Sequence, residues 1–217
     1  MKGKWLPLGL YNIISSYFLT PLLAWSFGAE LSENSLVRMA NFLTAVRLLL
    51  TIPVAWGIAV ADLLAGLTLL SFILLAVITD YFDGIVARAT KTASTRGQLF
   101  DHGTDFIFIT AGLIGCVYAG IINPYLPALI VVAFSQYVLD SYFLFRQKNL
   151  KMSFLGRWNG IFYFIPLVTV AFSRLSLGQD FTDVMEQITA IIAWLLLAST
   201  IASIIDRSLA PMRRIGH

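Results

Sequence analysis

Charge is what this sequence has least of. Only 12% of its 217 residues are Asp, Glu, Lys or Arg, about half the roughly 25% with which a soluble domain meets water. That scarcity excludes an ordinary soluble globule. Cysteine is nearly missing too. The single Cys116 sits inside an apolar run, so no intrachain disulfide framework is possible, and the residue reads as a small buried apolar side chain. Histidine occurs only as His102 and His217, which leaves too few nitrogen and sulfur donors for a zinc site. The net charge of +3 is small, and no nucleic-acid partner is expected. Linkers, internal repeats and low-complexity tracts are also missing.

What fills the chain instead is apolar sequence. Hydrophobic residues make up 58% of it, and the mean hydropathy is +0.80. Apolar runs cover 41–60, 64–88, 97–119, 124–146, 154–173 and 184–205. At about 1.5 Å per residue, each is long enough as a helix to cross roughly 30 Å of hydrocarbon. The expected fold class is therefore all-α, a polytopic membrane protein with six transmembrane helices.

Ahead of these runs, Trp5 to Phe27 is apolar but interrupted. Asn12, Ser15, Ser16 and Thr20 draw a polar stripe along one helical face, as an amphipathic helix lying in the membrane interface requires. Lys2 and Lys4 before an apolar run also suit a cleaved signal peptide, and a seventh span is a further alternative. The expected organisation is a juxtamembrane helix and linker over 1–40, a six-helix domain over 41–206, and a basic tail over 207–217 against anionic headgroups.

Basic residues set the orientation. Of the 15 Lys and Arg, Arg47 lies inside span one and only Arg174 in the three connections opposite the termini. The other 13 precede the first span, follow the last, or cluster in and at the edges of the connections after spans two and four. The positive-inside rule then places both termini in the cytoplasm. A bacterial plasma membrane is the expected location.

Against this apolar background, the costly residues stand out. Span two ends in Asp80-Tyr81-Phe82-Asp83-Gly84, and span three opens with Gly97-Gln98-Leu99-Phe100-Asp101-His102-Gly103-Thr104-Asp105. An aspartate at the centre of a membrane helix costs about 2.5–3.5 kcal/mol on insertion scales. Asp80, Asp83, Gly84, Ala87 and Arg88 share one helical face; Gly97, Asp101 and Asp105 share another. A short connection over 89–96 returns the chain antiparallel, so the two polar faces can meet at the cytoplasmic end. Clustered carboxylates repel unless protonated or paired with cations. Arg88 can offset one charge. One or two Mg²⁺ or Mn²⁺ ions, bound by hard oxygen ligands, offset more, and paired metals grip phosphoryl groups under attack. Gly84 and Ala87 leave a bare helix surface, suited to an approaching group or to tight helix packing.

These residues read D-x2-D-G-x2-A-R-x8-G-x3-D-x3-D from Asp80 to Asp105. That pattern resembles the CDP-alcohol phosphotransferase (CDP-alcohol phosphatidyltransferase) family at every fixed position. The motif spans only a short part of the chain, but the length, six spans and cytosolic termini also look like the family. The resemblance implies transfer of a phosphatidyl group from CDP-diacylglycerol to an alcohol acceptor, with CMP released. It implies metal binding by Asp80, Asp83 and Asp101. Asp105 becomes the general base, with contact to a metal as a second role implied by the same motif. Gly84, Ala87, Arg88 and Gly97 would line the nucleotide site, and the enzyme would be a homodimer.

The acceptor is written less firmly in the residues. Asn41, Thr44 and Arg47 form an N-x-L-T-x-x-R start with Leu43, similar to bacterial phosphatidylglycerophosphate synthases, which act on glycerol 3-phosphate. These three share a helical face and suit the nucleotide or its phosphates, whereas snorkelling is the alternative for Arg47. For a phosphorylated acceptor, Arg157, Lys151, Arg146 and Arg207 are on the correct side. Trp158-Asn159-Gly160 departs from the glycerophosphate enzymes, which keeps inositol phosphate, phosphatidylglycerol and amino alcohols in play. Asp140 has no assigned partner, with Arg146 and Gln136 as candidates. His102 is read as a bystander and His217 as a terminal residue without a role. A different class, a divalent-cation transporter, would need a second acidic cluster on the far half of the membrane. A silent scaffold would be expected to have lost motif residues, and none is lost.

Overall fold

The computed structural model describes residues 33–89, 95–139 and 154–209, with side chains described over 42–80, 100–139 and 154–209. The chain divides into two compact units, Met1–Met39 and Ala40–His217, and the core and the site lie in the second. The expected amphipathic helix within 5–27 and the basic tail beyond 209 lie outside the described residues.

Among the described residues all regular structure is helical: α1 (Glu33–Ala59), α2 (Gly66–Ala89), α3 (Thr95–Tyr118), α4 (Tyr125–Leu139), α5 (Phe154–Phe162), α6 (Phe164–Ser173) and α7 (Gln179–Leu209). Three stretches are long and apolar enough to cross a membrane, Phe42–Ala59, Phe154–Ser173 and Gln179–Leu209, and shorter apolar helical stretches run over Gly66–Asp80 and Tyr125–Leu139. The last helix is longer at both ends than the apolar run at 184–205 predicts. The helix in the fourth run is described only as far as Leu139.

Local chemistry explains the turns. After α3, the Gly120 N–H donates to the Val117 carbonyl and the Ile121 N–H to the Cys116 carbonyl, both at 3.0 Å. This is a Schellman closure, and it needs the left-handed φ of 75° that Gly120 supplies. Three residues on, the Asn123 side-chain oxygen accepts from the Tyr125 N–H at 3.0 Å and opens α4. A fifth run expected as one helix is interrupted at Tyr163. Pro166 is the cause: it has no N–H for the Phe162 carbonyl, and its ring crowds that carbonyl. Tyr163 keeps helical dihedrals, so α5 and α6 still form one apolar stretch.

The core lies between α1, α2, α3, α4, α6 and α7, with Ile58, Leu69, Leu113, Leu126, Leu167 and Ala193 among its buried members. Helix α7 packs on α4, α5 and α6; α6 also meets α2 and α3. In lipid there is no hydrophobic drive between helices, so close approach and hydroxyl contacts matter more. Both occur. A Cβ on Gly115 would lie 2.5 Å from the Ala55 carbonyl oxygen, and one on Gly112 would lie 2.7 Å from Leu167. Thr189 donates to Thr169 at 2.7 Å, Ser199 to the buried Asn159 at 2.6 Å, and the Tyr163 and Thr200 hydroxyls are 2.7 Å apart. The outward faces carry exposed Leu49, Ile52, Trp56, Leu67, Ile191 and Leu195, a surface suited to lipid rather than water.

Candidate active site

Three helices bring charge to one end of this bundle. Helix α1 carries Arg47 towards the start of its apolar stretch Phe42–Ala59, α2 carries Asp80 towards its end, and α3 carries Asp101 and Asp105 in its opening turns. Since α2 and α3 run consecutively in opposite directions, residues late in one and early in the other share an end, as the short connection predicts. Asp101 and Asp105 are one turn apart on α3, so both present to the same side.

Arg47 sits among these carboxylates. Its side chain has 0% exposure, while those of Asp80, Asp101 and Asp105 keep 35%, 31% and 22%. Nη2 lies 2.9 Å from Asp80 Oδ1, and Nη1 lies 3.5 Å from Asp101 Oδ1. Nη1 also donates to Asp105 Oδ1. Arg47 therefore does not snorkel. Its carbonyl accepts from the Thr51 hydroxyl at 3.1 Å, one turn further along α1. Nε and Nη2 make no hydrogen bond of good geometry among the described residues, so the Asp80 contact is an ion pair rather than an aligned hydrogen bond. Burial of a guanidinium is tolerated only with such counter-charges beside it.

Asp80 and Asp105 also open onto a cavity of about 610 Å³ between α2, α3, α4, α5, α6 and α7. Its walls are mainly apolar, with Leu74, Phe106, Ile130, Phe134, Ile161 and Val168 among them. Its polar groups include His102, Gln136, Tyr137, Arg157, Ser203 and Arg207. The Arg207 guanidinium lies 5.1 Å from the centre of the Tyr137 ring, within cation–π range. An apolar chamber with convergent charged groups at one end is the shape of a site for an amphiphilic substrate.

The structure thus brings together Asp80, Asp101, Asp105 and Arg47, and it sets Arg157 and Arg207 on the cavity that two of those aspartates reach. Thr44 is buried on α1. The backbones of Asn41, Asp83, Gly84, Ala87 and Arg88, and of Gly97 in α3, are helical; their side chains are outside the described residues, as are Asp140, Arg146 and Lys151 altogether. Gln136, weighed as a partner for Asp140, donates to Ser208 at 2.9 Å and to the Ile204 carbonyl at 3.4 Å.

His102 is where the sequence reading and the structure part. Read as a bystander beside Asp101, it lines the cavity and offers a ligand atom in a group with Asp101 and Asp105, all within 4.8 Å of one another. The signal was present in the spacing: His102, Asp105, Phe106 and Ile109 stand at i, i+3, i+4 and i+7 and all line that cavity. Three carboxylates gathered around a single cationic group are hard oxygen donors of the kind that fit Mg²⁺ or Mn²⁺.

Comparison with known proteins agrees with the geometry. The model of the family described as CDP-alcohol phosphatidyltransferase matches residues 37–202. The chain belongs to that family. This CDP-alcohol phosphatidyltransferase is therefore a membrane transferase of phospholipid biosynthesis, taking a CDP-alcohol and an alcohol acceptor, in a family whose chemistry is metal-dependent. It is 26% identical over 179 residues to the CDP-diacylglycerol–glycerol-3-phosphate 3-phosphatidyltransferase of Mycoplasma genitalium, across 73% of this chain and 74% of that protein. No solved structure matches it significantly.

Proposed function

We propose that this enzyme transfers the phosphatidyl group of CDP-diacylglycerol to glycerol 3-phosphate, forming phosphatidylglycerophosphate and releasing CMP. The observation that carries the reading is the convergence of Asp80, Asp101 and Asp105 at the charged end of one cavity that Arg157 and Arg207 also line. The acceptor assignment draws on the name of the Mycoplasma relative and on the N-x-L-T-x-x-R start of α1.

In this reading Asp80, Asp83, Asp101 and Asp105 hold two divalent ions, Mg²⁺ or Mn²⁺. Bound there, the ions would neutralise the donor's pyrophosphate and stabilise CMP as a leaving group. Gly84, Ala87, Arg88 and Gly97, with Asn41, Thr44 and Arg47, hold the nucleotide and its phosphates. Asp105 takes the proton of the acceptor hydroxyl as its oxygen attacks the phosphorus bearing the lipid. The new P–O bond replaces the one to CMP, so the electron pair of the broken bond leaves with CMP. Arg157, Arg207, Lys151 and Arg146 supply cations for the acceptor's own phosphate, to which guanidinium forks are well matched. The apolar walls suit the donor's acyl chains.

The wider arrangement belongs to the same proposal. Six spans and an interfacial helix before them hold the site at the cytoplasmic face of a bacterial plasma membrane, and the enzyme works as a homodimer. The test is CMP release by purified protein given CDP-diacylglycerol and Mg²⁺, with each candidate acceptor supplied separately. Release with glycerol 3-phosphate, abolished by EDTA and by Asp105→Asn, is the expected result. Release only with inositol phosphate, phosphatidylglycerol or an amino alcohol overturns the acceptor and keeps the chemistry. No release with any of them, from protein that binds the CDP-lipid, overturns the assignment to this set of acceptors.

A further inference from the structure

Arg47 occupies an unusual position for a residue expected to hold nucleotide phosphates. Among the described residues it is the largest side chain without solvent exposure, and it contacts one oxygen on each of Asp80, Asp101 and Asp105. Those carboxylates come from two helices, and the guanidinium comes from a third. A divalent ion held by the same aspartates would draw on the same negative charge and, at each Oδ1, on the oxygen that Arg47 already contacts, because hard cations bind carboxylate oxygen directly. The guanidinium and a metal ion are therefore competitors for these carboxylates.

The hydrogen bonding fits a temporary occupant. A guanidinium has five N–H donors in a fixed fork, and a permanent buried arginine is ordinarily held through most of them. Here Nε makes no hydrogen bond among the described residues, and Nη2 approaches Asp80 without hydrogen-bond alignment. Charge is balanced better than geometry is satisfied. Meanwhile the aspartates keep part of their surface accessible, and two of them face the cavity, so an ion has a route to oxygens that Arg47 already holds.

We infer that Arg47 is a displaceable internal counter-ion: it holds the carboxylates together without metal, and metal binding releases its guanidinium toward the donor's phosphates. The inference rests on the reading of these aspartates as metal ligands. It makes Arg47 a positioning residue that sets metal affinity as well as a phosphate contact. Linkage fixes the sign. Whatever free energy the guanidinium contributes to the metal-free state is subtracted from metal binding.

The experiment is Mn²⁺ binding to the full chain in detergent micelles, followed by electron paramagnetic resonance, with thermal unfolding measured in EDTA and in Mn²⁺. Arg47→Met removes the charge at similar length; Arg47→Lys keeps it as a compact ammonium without the planar fork that spans Asp80, Asp101 and Asp105. Both are purified in Mn²⁺ and then stripped. Arg47→Met should bind Mn²⁺ about 10-fold tighter than the parent, a normal size for coupling between two ligands of one site. It should also melt lower in EDTA and gain more from Mn²⁺ than the parent does. Arg47→Lys should fall between them. Parental or weaker Mn²⁺ affinity in either variant overturns the counter-ion role while leaving the metal site standing. If Arg47→Met cannot be stripped without unfolding, Arg47→Lys decides by the same criterion. No Mn²⁺ binding by the parent or any variant overturns the metal reading itself, and this inference with it.

Discussion

A guanidinium surrounded by three carboxylates divides the aspartates by what else they touch. Asp101 meets Arg47 at 3.5 Å, whereas Asp105 accepts directly from it and also opens onto the cavity. Removing the proton acceptor while keeping the shape is the cleanest probe of the proposed chemistry. Asp105→Asn is expected to lower the rate of CMP release at least 100-fold with retained binding of CDP-lipid, the scale of general-base catalysis; single-turnover kinetics would check it. Arg157→Ala tests the acceptor side. Losing one charge-assisted contact to phosphate, about 1.5–3 kcal/mol, should raise KM for glycerol 3-phosphate by 10-fold or more and leave KM for the CDP-lipid nearly unchanged. At this scale the sequence was informative about residue type and poor about partners. The regular spacing of Asp101 and Asp105 on one helix made their shared face readable. That Arg47 would answer them could not be read, because pairing across α1, α2 and α3 depends on how the helices pack, which no local spacing encodes. His102 was hidden for a different reason: its neighbour Asp101 drew attention to the motif face, although its own period placed it with Asp105 and Phe106.

Helices α1 and α3 touch where Gly115 lets the Ala55 carbonyl approach. A side chain there must displace backbone, which does not yield as a flexible side chain would. Gly115→Val is expected to destabilise the protein by about 1–3 kcal/mol, the usual cost of overpacking, and so to lower its melting temperature in detergent. Activity should fall with it, because α1 and α3 carry Arg47 and both Asp101 and Asp105. The described helices follow the apolar runs, with limits that the structure moves by up to eight residues, at the start of α1. The interruption at Tyr163 was legible in principle, since Pro166 stands within the run. The run's hydropathy stays high across it, however, and hydropathy does not register a missing N–H.

Taken as a molecule, the bundle has one end where the three paired aspartates gather and an opposite end formed by its turns. Arg47, Asp80, Asp105, Arg157 and Arg207 mark the first, and the turns at 60–65, 119–124 and 174–178 mark the second. The proposed topology, drawn from the positive-inside rule, has the charged end in the cytoplasm. In a Cys116→Ala background, an impermeant maleimide applied to intact cells should label Leu177→Cys and spare Leu209→Cys until the membrane is opened; the reverse pattern would invert the topology. The shape of the cavity was beyond reach of sequence, because its walls come from six helices whose contacts are non-local.

The ring of oxygens around Arg47 also has a consequence during synthesis. Helix α1 leaves the ribosome before its counter-charges exist, and an arginine or aspartate within a lone membrane helix carries an insertion cost that reaches about 2.5–3.5 kcal/mol at the helix centre. Helix α2 then brings Asp80, and only α3 brings Asp101 and Asp105. The penalties cancel when all three helices are present together, so the smallest piece of this chain that settles comfortably in a bilayer is the α1–α2–α3 hairpin pair and not any one of its helices. A nascent chain halted after α1 would sit poorly in the membrane; one halted after α3 would not.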